Sequence, residues 1–197
     1  MPTPSFNPKK PSQPNSFVSL FKRLLKITLV LVVGYLAYIY SADIRQELTR
    51  YVSNSMRYSK LMQQAPPEPN SLPSPIKEAH LTDTWGAARS GGRSHEGIDI
   101  FAARHTPIYS TTPGIVRKVG NNQLGGNVVM ILGPGGFSHY YAHLQDFANI
   151  QPGDWVETGD IIGYVGDSGN AKGTPPHVHY GVYTPSGAVN PFPLLAK

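Results

Sequence analysis

Histidine and aspartate recur in three short stretches whose spacing suits the binding of a metal ion. His95-Glu96-Gly97-Ile98-Asp99 sets an imidazole and a carboxylate four residues apart. Gly97 and the branched Ile98 and Ile100 favour a strand there, and a period of two then points His95, Gly97 and Asp99 to one face. Gly97 leaves the space between the two donor groups free of a side chain. His177-Val178-His179 repeats the device, with Val178 turned to the core and Pro175-Pro176 fixing how the strand enters. Tyr141-Ala142-His143-Leu144 closes a run rich in aromatics. Alone, each stretch is weak, because a single histidine is usually a surface or core residue; His80 and His105 read that way. Together, a His/Asp pair and a His pair on strand-like segments can supply three nitrogen and oxygen ligands. Three protein ligands leave one tetrahedral position open, the pattern of catalytic zinc. Cysteine is absent, which argues against structural zinc, and the imidazole-rich cluster argues against calcium and magnesium.

The elements that must hold these residues are short. From residue 96 the apolar runs end at Gly, Pro or Asn. Ile98–Phe101, 107–110, 114–119, 128–132, 137–143, Ile161–Val165 and 178–183 read as strands. Turns fall at Asn121-Asn122, Gly125-Gly126, Gly133-Pro134-Gly135-Gly136, Pro152-Gly153-Asp154 and Asp167-Ser168-Gly169-Asn170. No long amphipathic helix interrupts them. The expected fold is all-β, a compact antiparallel sandwich or barrel-like sheet over residues 78–197. The turn and strand spacing at 152–163 also resembles lipoyl and biotinyl carriers. Lys118, Lys172 and Lys197 are the lysines of this region, and none sits in a carrier hairpin.

The front of the chain has a different composition. Residues 1–77 carry ten Lys/Arg and three Asp/Glu; residues 78–197 carry seven and nine. The net charges are therefore +7 and −2, which sum to the +5 of the whole chain. A nucleic-acid partner would want a basic folded surface, so that class is set aside. Residues 1–16 are expected to be a disordered tail, 17–40 a transmembrane signal anchor, 41–64 an amphipathic juxtamembrane helix and 65–77 a Pro-rich extended linker. From Leu24 to Tyr40 the helix would span roughly 25 Å, slightly under the hydrocarbon core of about 30 Å. Five Lys/Arg and no acid precede Ile27. The positive-inside rule then leaves the N-terminus in the cytoplasm and the main domain in the periplasm or extracytoplasmic space. A cleaved signal peptide is the competing reading, but a cut after Ala42 would put Tyr40 where a small residue is expected. A homodimer or envelope partner through 41–64 is open, since three heptads are marginal for a coiled coil.

The three motifs, in this order and with Gly166-Asp167-Ser168-Gly169-Asn170 ahead of the last, resemble the lysostaphin/LytM-type zinc metallopeptidases of the M23 family. The resemblance covers roughly residues 78–193. It implies that His95, Asp99 and His179 bind Zn2+ and that His143 and His177 are the catalytic histidines. Trp85-Gly86-Ala87-Ala88-Arg89 looks like the arginine-ended segment of Gram-negative members, which implies a substrate or transition-state contact for Arg89. Arg104-His105-Thr106-Pro107 departs from the pattern, since glycine is common in that turn. The implied activity is hydrolysis of peptide bonds in peptidoglycan stems by a membrane-anchored metalloendopeptidase. His177 would accept and return the proton, and His143 would stabilise the oxyanion or share the shuttling. Glu96 would point away from the metal, and His139 could line the same face as His143. Two other readings stand beside this one. One is a non-catalytic envelope scaffold or activator of other cell-wall hydrolases, and the other is a peptidase for secreted proteins.

Overall fold

The computed structural model describes residues 16–196. The expected tail over 1–16 lies outside them, apart from Ser16. The described chain divides into two compact units at Val52/Ser53.

One helix, α1, runs over Ser16–Gln63. The two helical segments expected at 17–40 and 41–64 are thus continuous. Nothing between Gly34 and Pro66 breaks a helix, and hydroxyls that could compete are absorbed into it. Ser41 Oγ donates to the Tyr38 carbonyl at 2.8 Å, and Thr49 Oγ1 to the Arg45 carbonyl at 2.8 Å. The apolar side chains from Phe17 to Val52 are exposed. By length and composition this is a helix that could cross a membrane.

The second unit opens with the last turns of α1. Leu61 is buried, the Arg57 guanidinium lies 5.4 Å from the Trp155 ring centre, and Asn54 Nδ2 donates to the Gly153 carbonyl at 3.1 Å. Residues 65–77, expected as an extended linker, turn at Pro69-Asn70 and again from residue 75, and are fastened to the sheet domain. Leu72 and Ile76 belong to its core. The Leu72 N–H donates to the Leu194 carbonyl at 2.9 Å, and the Ala196 N–H to the Leu72 carbonyl at 2.7 Å. Two isolated apolar residues among prolines were enough to bring the segment down onto the core.

Among the described residues, nine strands form one antiparallel sheet: β1 (Ile98–Phe101), β2 (Pro107–Tyr109), β3 (Gly114–Asn122), β4 (Gly126–Leu132), β5 (Ser138–Phe147), β6 (Trp155–Val156), β7 (Ile161–Val165), β8 (His177–Thr184) and β9 (Gly187–Val189). The order is β1-β8-β5-β4-β3-β6, with β7 joining β2 to the far half of β5 and β9 on β8. The all-β expectation holds. Alternation places Ile98 and Ile100 of β1 and Val178, Tyr180 and Val182 of β8 in the core. The opposite face of those strands carries Asp99, Phe101, His177, His179, Gly181 and Tyr183.

β5 changes partner along its length. Residues 138–142 pair with β8, and 144–147 pair with β7. Between them sits His143, at φ 66°, in the left-handed region that side chains rarely adopt. The register on β4 shifts at the same point. This is a bulge, the device that re-aims a side chain and bends a strand.

Candidate active site

Asp99 of β1 lies directly across from His179 of β8, and His95 precedes β1 on the same face. His95 Nε2 is 2.8 Å from His179 Nδ1 and 3.1 Å from Asp99 Oδ1; His179 Nδ1 is 3.2 Å from the same oxygen. Lone pairs converge this closely only around a proton or a metal cation. A tetrahedral zinc with bonds of about 2.0–2.1 Å sets its ligand atoms about 3.3 Å apart, so the three donors fit such an ion with small adjustment. Gly97 is required beside them. A Cβ there would fall 2.6 Å from His179 Cε1 and 2.6 Å from the Tyr180 carbonyl oxygen.

Neighbours fix the state of each donor. His95 Nδ1 lies 2.7 Å from the Thr84 carbonyl, which can only accept, so Nδ1 carries the proton and Nε2 turns its lone pair to the centre. Thr84 acts twice, because its hydroxyl accepts the Asp99 backbone N–H at 3.1 Å. Arg89 Nη2 donates to Asp99 Oδ2, leaving Oδ1 for the histidines. Burial pushes the Asp99 carboxyl up, but hydrogen bonds to His179, His95 and Arg89 outweigh it and hold the group well below the usual carboxylate range. Burial pushes His179 down, against the pull of Asp99, which favours the neutral imidazole a metal needs.

His143 and His177 stand beside this cluster. Their ring centres are 5.0 Å apart, and His143 is 6.0 Å from His179. His143 Nδ1 donates to the Ser168 carbonyl at 2.9 Å, and His177 Nδ1 to the Pro175 carbonyl at 2.8 Å. In both rings the Nε2 lone pair is therefore free, and neither Nε2 has a hydrogen-bond partner among the described residues. Burial, and then the neighbouring His177, push His143 down to about 4, against the pull of the Ser168 carbonyl. The β7–β8 loop supplying both carbonyls is pinned. Arg104 donates to Asp167 Oδ1 at 2.8 Å and to Gln145, and Ser168 Oγ accepts the Asn127 N–H at 2.9 Å.

The structure thus gathers all five histidine and aspartate positions singled out above, with Arg89 on Asp99. Glu96 is exposed, as expected. His139 is not a cleft residue. It lies on the core face, fully buried, with Nδ1 2.8 Å from the Tyr180 hydroxyl and 3.1 Å from Thr111 Oγ1. Simple alternation puts His139, Tyr141 and His143 on one face; the bulge moves His143 to the other. His80 and His105 are exposed and outside the cluster. His105 occupies the turn at φ 66°, which explains why glycine suits that position, and its Nδ1 lies 3.5 Å from Asp146 Oδ2. Asp83 accepts hydrogen bonds from Asn190 Nδ2 at 3.2 Å and from the Trp85 N–H at 3.1 Å. Thr84 and the carbonyls of Ser168 and Pro175 were not legible beforehand, because main-chain acceptors leave no residue-type signal.

The sequence model of Peptidase family M23 matches residues 93–191. The L-Ala–D-Glu endopeptidase of Bacillus subtilis is 42% identical over 139 residues, covering 64% of this chain and 43% of that one. The peptidoglycan DD-endopeptidase ShyC of Vibrio cholerae is 36% identical over 88 residues, 45% of this chain and 20% of that one. This chain therefore spans less than half the length of these curated relatives. The catalytic domain of lysostaphin, the antimicrobial peptidase of Staphylococcus simulans, superposes with a TM-score of 0.54 at 29% identity, covering 61% of this chain and 92% of that domain. The matched stretch takes in half of the chain, nearly all of the sheet and every histidine and aspartate of the cluster, so the chain belongs to peptidase family M23.

Proposed function

We propose that this protein is a membrane-anchored zinc endopeptidase that hydrolyses peptide bonds in peptidoglycan stems. The observation that carries the reading is the convergence of His95, Asp99 and His179 beside two histidines with free Nε2 lone pairs. Zinc fits the donor set, two neutral imidazoles and one carboxylate oxygen. When bound, zinc supplies Lewis acidity, polarising a carbonyl and making water nucleophilic near neutral pH. His177, with Nδ1 held by the Pro175 carbonyl, accepts a proton at Nε2 and returns it to the leaving amine. His143 is held in the same tautomer by Ser168, so its Nε2 can donate to an oxyanion only after gaining a proton. Its first role is that of a second acceptor beside His177. Arg89 keeps Asp99 ionised and offers its outer oxygen no second route to the metal.

The names of the relatives support wall peptides as the substrate class. The apolar stretch of α1, with five Lys/Arg before Ile27, supports an anchor that leaves the N-terminus in the cytoplasm and the sheet domain outside. The test uses the detergent-solubilised full chain and its His177→Ala twin on purified sacculi, with released muropeptides identified by mass spectrometry. Loss of cross-linked species with the wild type alone is expected. Equal digestion by both proteins contradicts the assigned chemistry.

A further inference from the structure

Phe101 ends β1 on the face that carries Asp99, directly across from His177 in the register. Ile100, between Asp99 and Phe101, is fully buried on the other face. Phe101 is 57% exposed. The centre of its ring lies 5.1 Å from that of His177, with the two planes tilted by 42°. Its backbone is not loose, since the next N–H, of Ala102, donates to the Pro176 carbonyl at 3.3 Å. From β1 onward, among the described residues, the large apolar side chains left exposed are Phe101, Leu124 and Ile161. Two of the three border the catalytic histidines. Leu124 precedes Gly125, whose carbonyl accepts the His143 N–H at 2.8 Å, and its own carbonyl accepts the Asn170 N–H at 3.0 Å.

On the sheet face beside the metal ligands, small residues alternate with the rings of Tyr140, 6.1 Å from that of His179, and Tyr183. Gly97 abuts the His179 ring, Ala142 lies opposite His179 in the register, and Gly181 lies two residues on. In the register Tyr140 lies across from Gly181 and Phe101 across from His177, so a peptide running along this face meets Phe101 at its His177 end. An aromatic ring held in water beside a proton-transfer residue forgoes burial until something covers it. A glycine peptide cannot cover it, whereas a methyl group or an aliphatic stem can.

We propose that Phe101 is a specificity-determining residue, an aromatic wall that receives the aliphatic side chain of the substrate residue lying over His177. This rests on the peptidase reading above. It selects alanine or longer aliphatic residues at the cleaved bond over glycine. One methylene in a closed apolar pocket discriminates roughly 10–200-fold, and a half-open wall sits at or below the low end, about five- to tenfold.

The test measures kcat/KM of the zinc-loaded full chain on short peptides carrying alanine, in either configuration, or glycine on both sides of the scissile bond. Wild type is expected to prefer an alanine peptide. Phe101→Ala lowers kcat/KM on that peptide about fivefold or more, mainly through KM, and by less than about twofold on the glycine peptide. Phe101→Leu keeps most of the preference, and Ile161→Ala changes neither rate. Equal losses on both peptides mean the ring only positions His177 and overturn the proposal, as does a wild-type preference for glycine or no loss at all. If wild type cleaves neither peptide, the proposed substrate class fails. The inference is then decided by peptide affinity in a His177→Ala background, where an added Phe101→Ala that leaves alanine-peptide binding unchanged overturns it.

Discussion

At the scale of single residues, main-chain carbonyls do much of the work. Thr84, Ser168 and Pro175 each accept an imidazole Nδ1–H and so choose the tautomer in which Nε2 is the reactive or ligating atom. His143 holds its place in a backbone conformation that suits glycine better. His143→Gly should therefore be more stable than His143→Ala by about 1 kcal/mol in denaturant unfolding, with both inactive. Equal stabilities would mean the bulge stores no strain. His139 carries a different liability. Burial pushes it down to about 3 from its ordinary 6.5, and the groups bonded to it are the neutral hydroxyls of Tyr180 and Thr111. The unfolded chain binds a proton below about pH 6.5 that the folded chain refuses until about pH 3. Stability of the zinc-free protein should therefore rise with pH across that window, with this site adding up to about 1.4 kcal/mol per pH unit. His139→Gln should flatten the slope measured between pH 4 and 6.5, and an unchanged slope would remove His139 as its source.

At the scale of elements, two antiparallel strands and one bulge assemble the site. β1 and β8 needed nothing beyond alternation to bring Asp99 opposite His179, which is why their sharing a face was legible from spacing; the choice of His179 over His177 as the ligand came only from the family resemblance. β5 was legible as a strand but not as a strand that changes partner. Alternation alone therefore grouped His143 with His139, and only the register shift separates them. The segment 65–77 was misleading for a similar reason. Proline-rich composition reads as extended whether the chain is free or packed, and the difference lies in Leu72 and Ile76 finding a core. Burial of Leu61, Leu72 and Ile76 is worth about 1.5–3 kcal/mol each, together a large share of the ~5–15 kcal/mol that holds a typical domain folded. A fragment of residues 53–197 should melt cooperatively by circular dichroism, whereas 78–197 should melt at least about 15 °C lower or not fold. Matching melting curves would show that the segment is only laid on the surface.

At the scale of the whole molecule, a basic, apolar front end joins a slightly acidic catalytic sheet. Such a division suits an enzyme that is localised by an anchor rather than by charge attraction to its substrate. The full chain should stay with membranes through alkaline carbonate extraction, and residues 53–197 should be soluble; release of the full chain by carbonate would contradict the anchor. The proposed function divides the labour within the cluster: His179 holds the metal, and His177 moves protons without holding it. Zinc affinity by chelator competition, measured on the wild type, His177→Ala and His179→Ala, separates the two roles. His177→Ala is expected to bind zinc within about fivefold of the wild type, and His179→Ala at least about 100-fold more weakly. Equal losses in the two variants, or full retention in His179→Ala, would contradict the assignment.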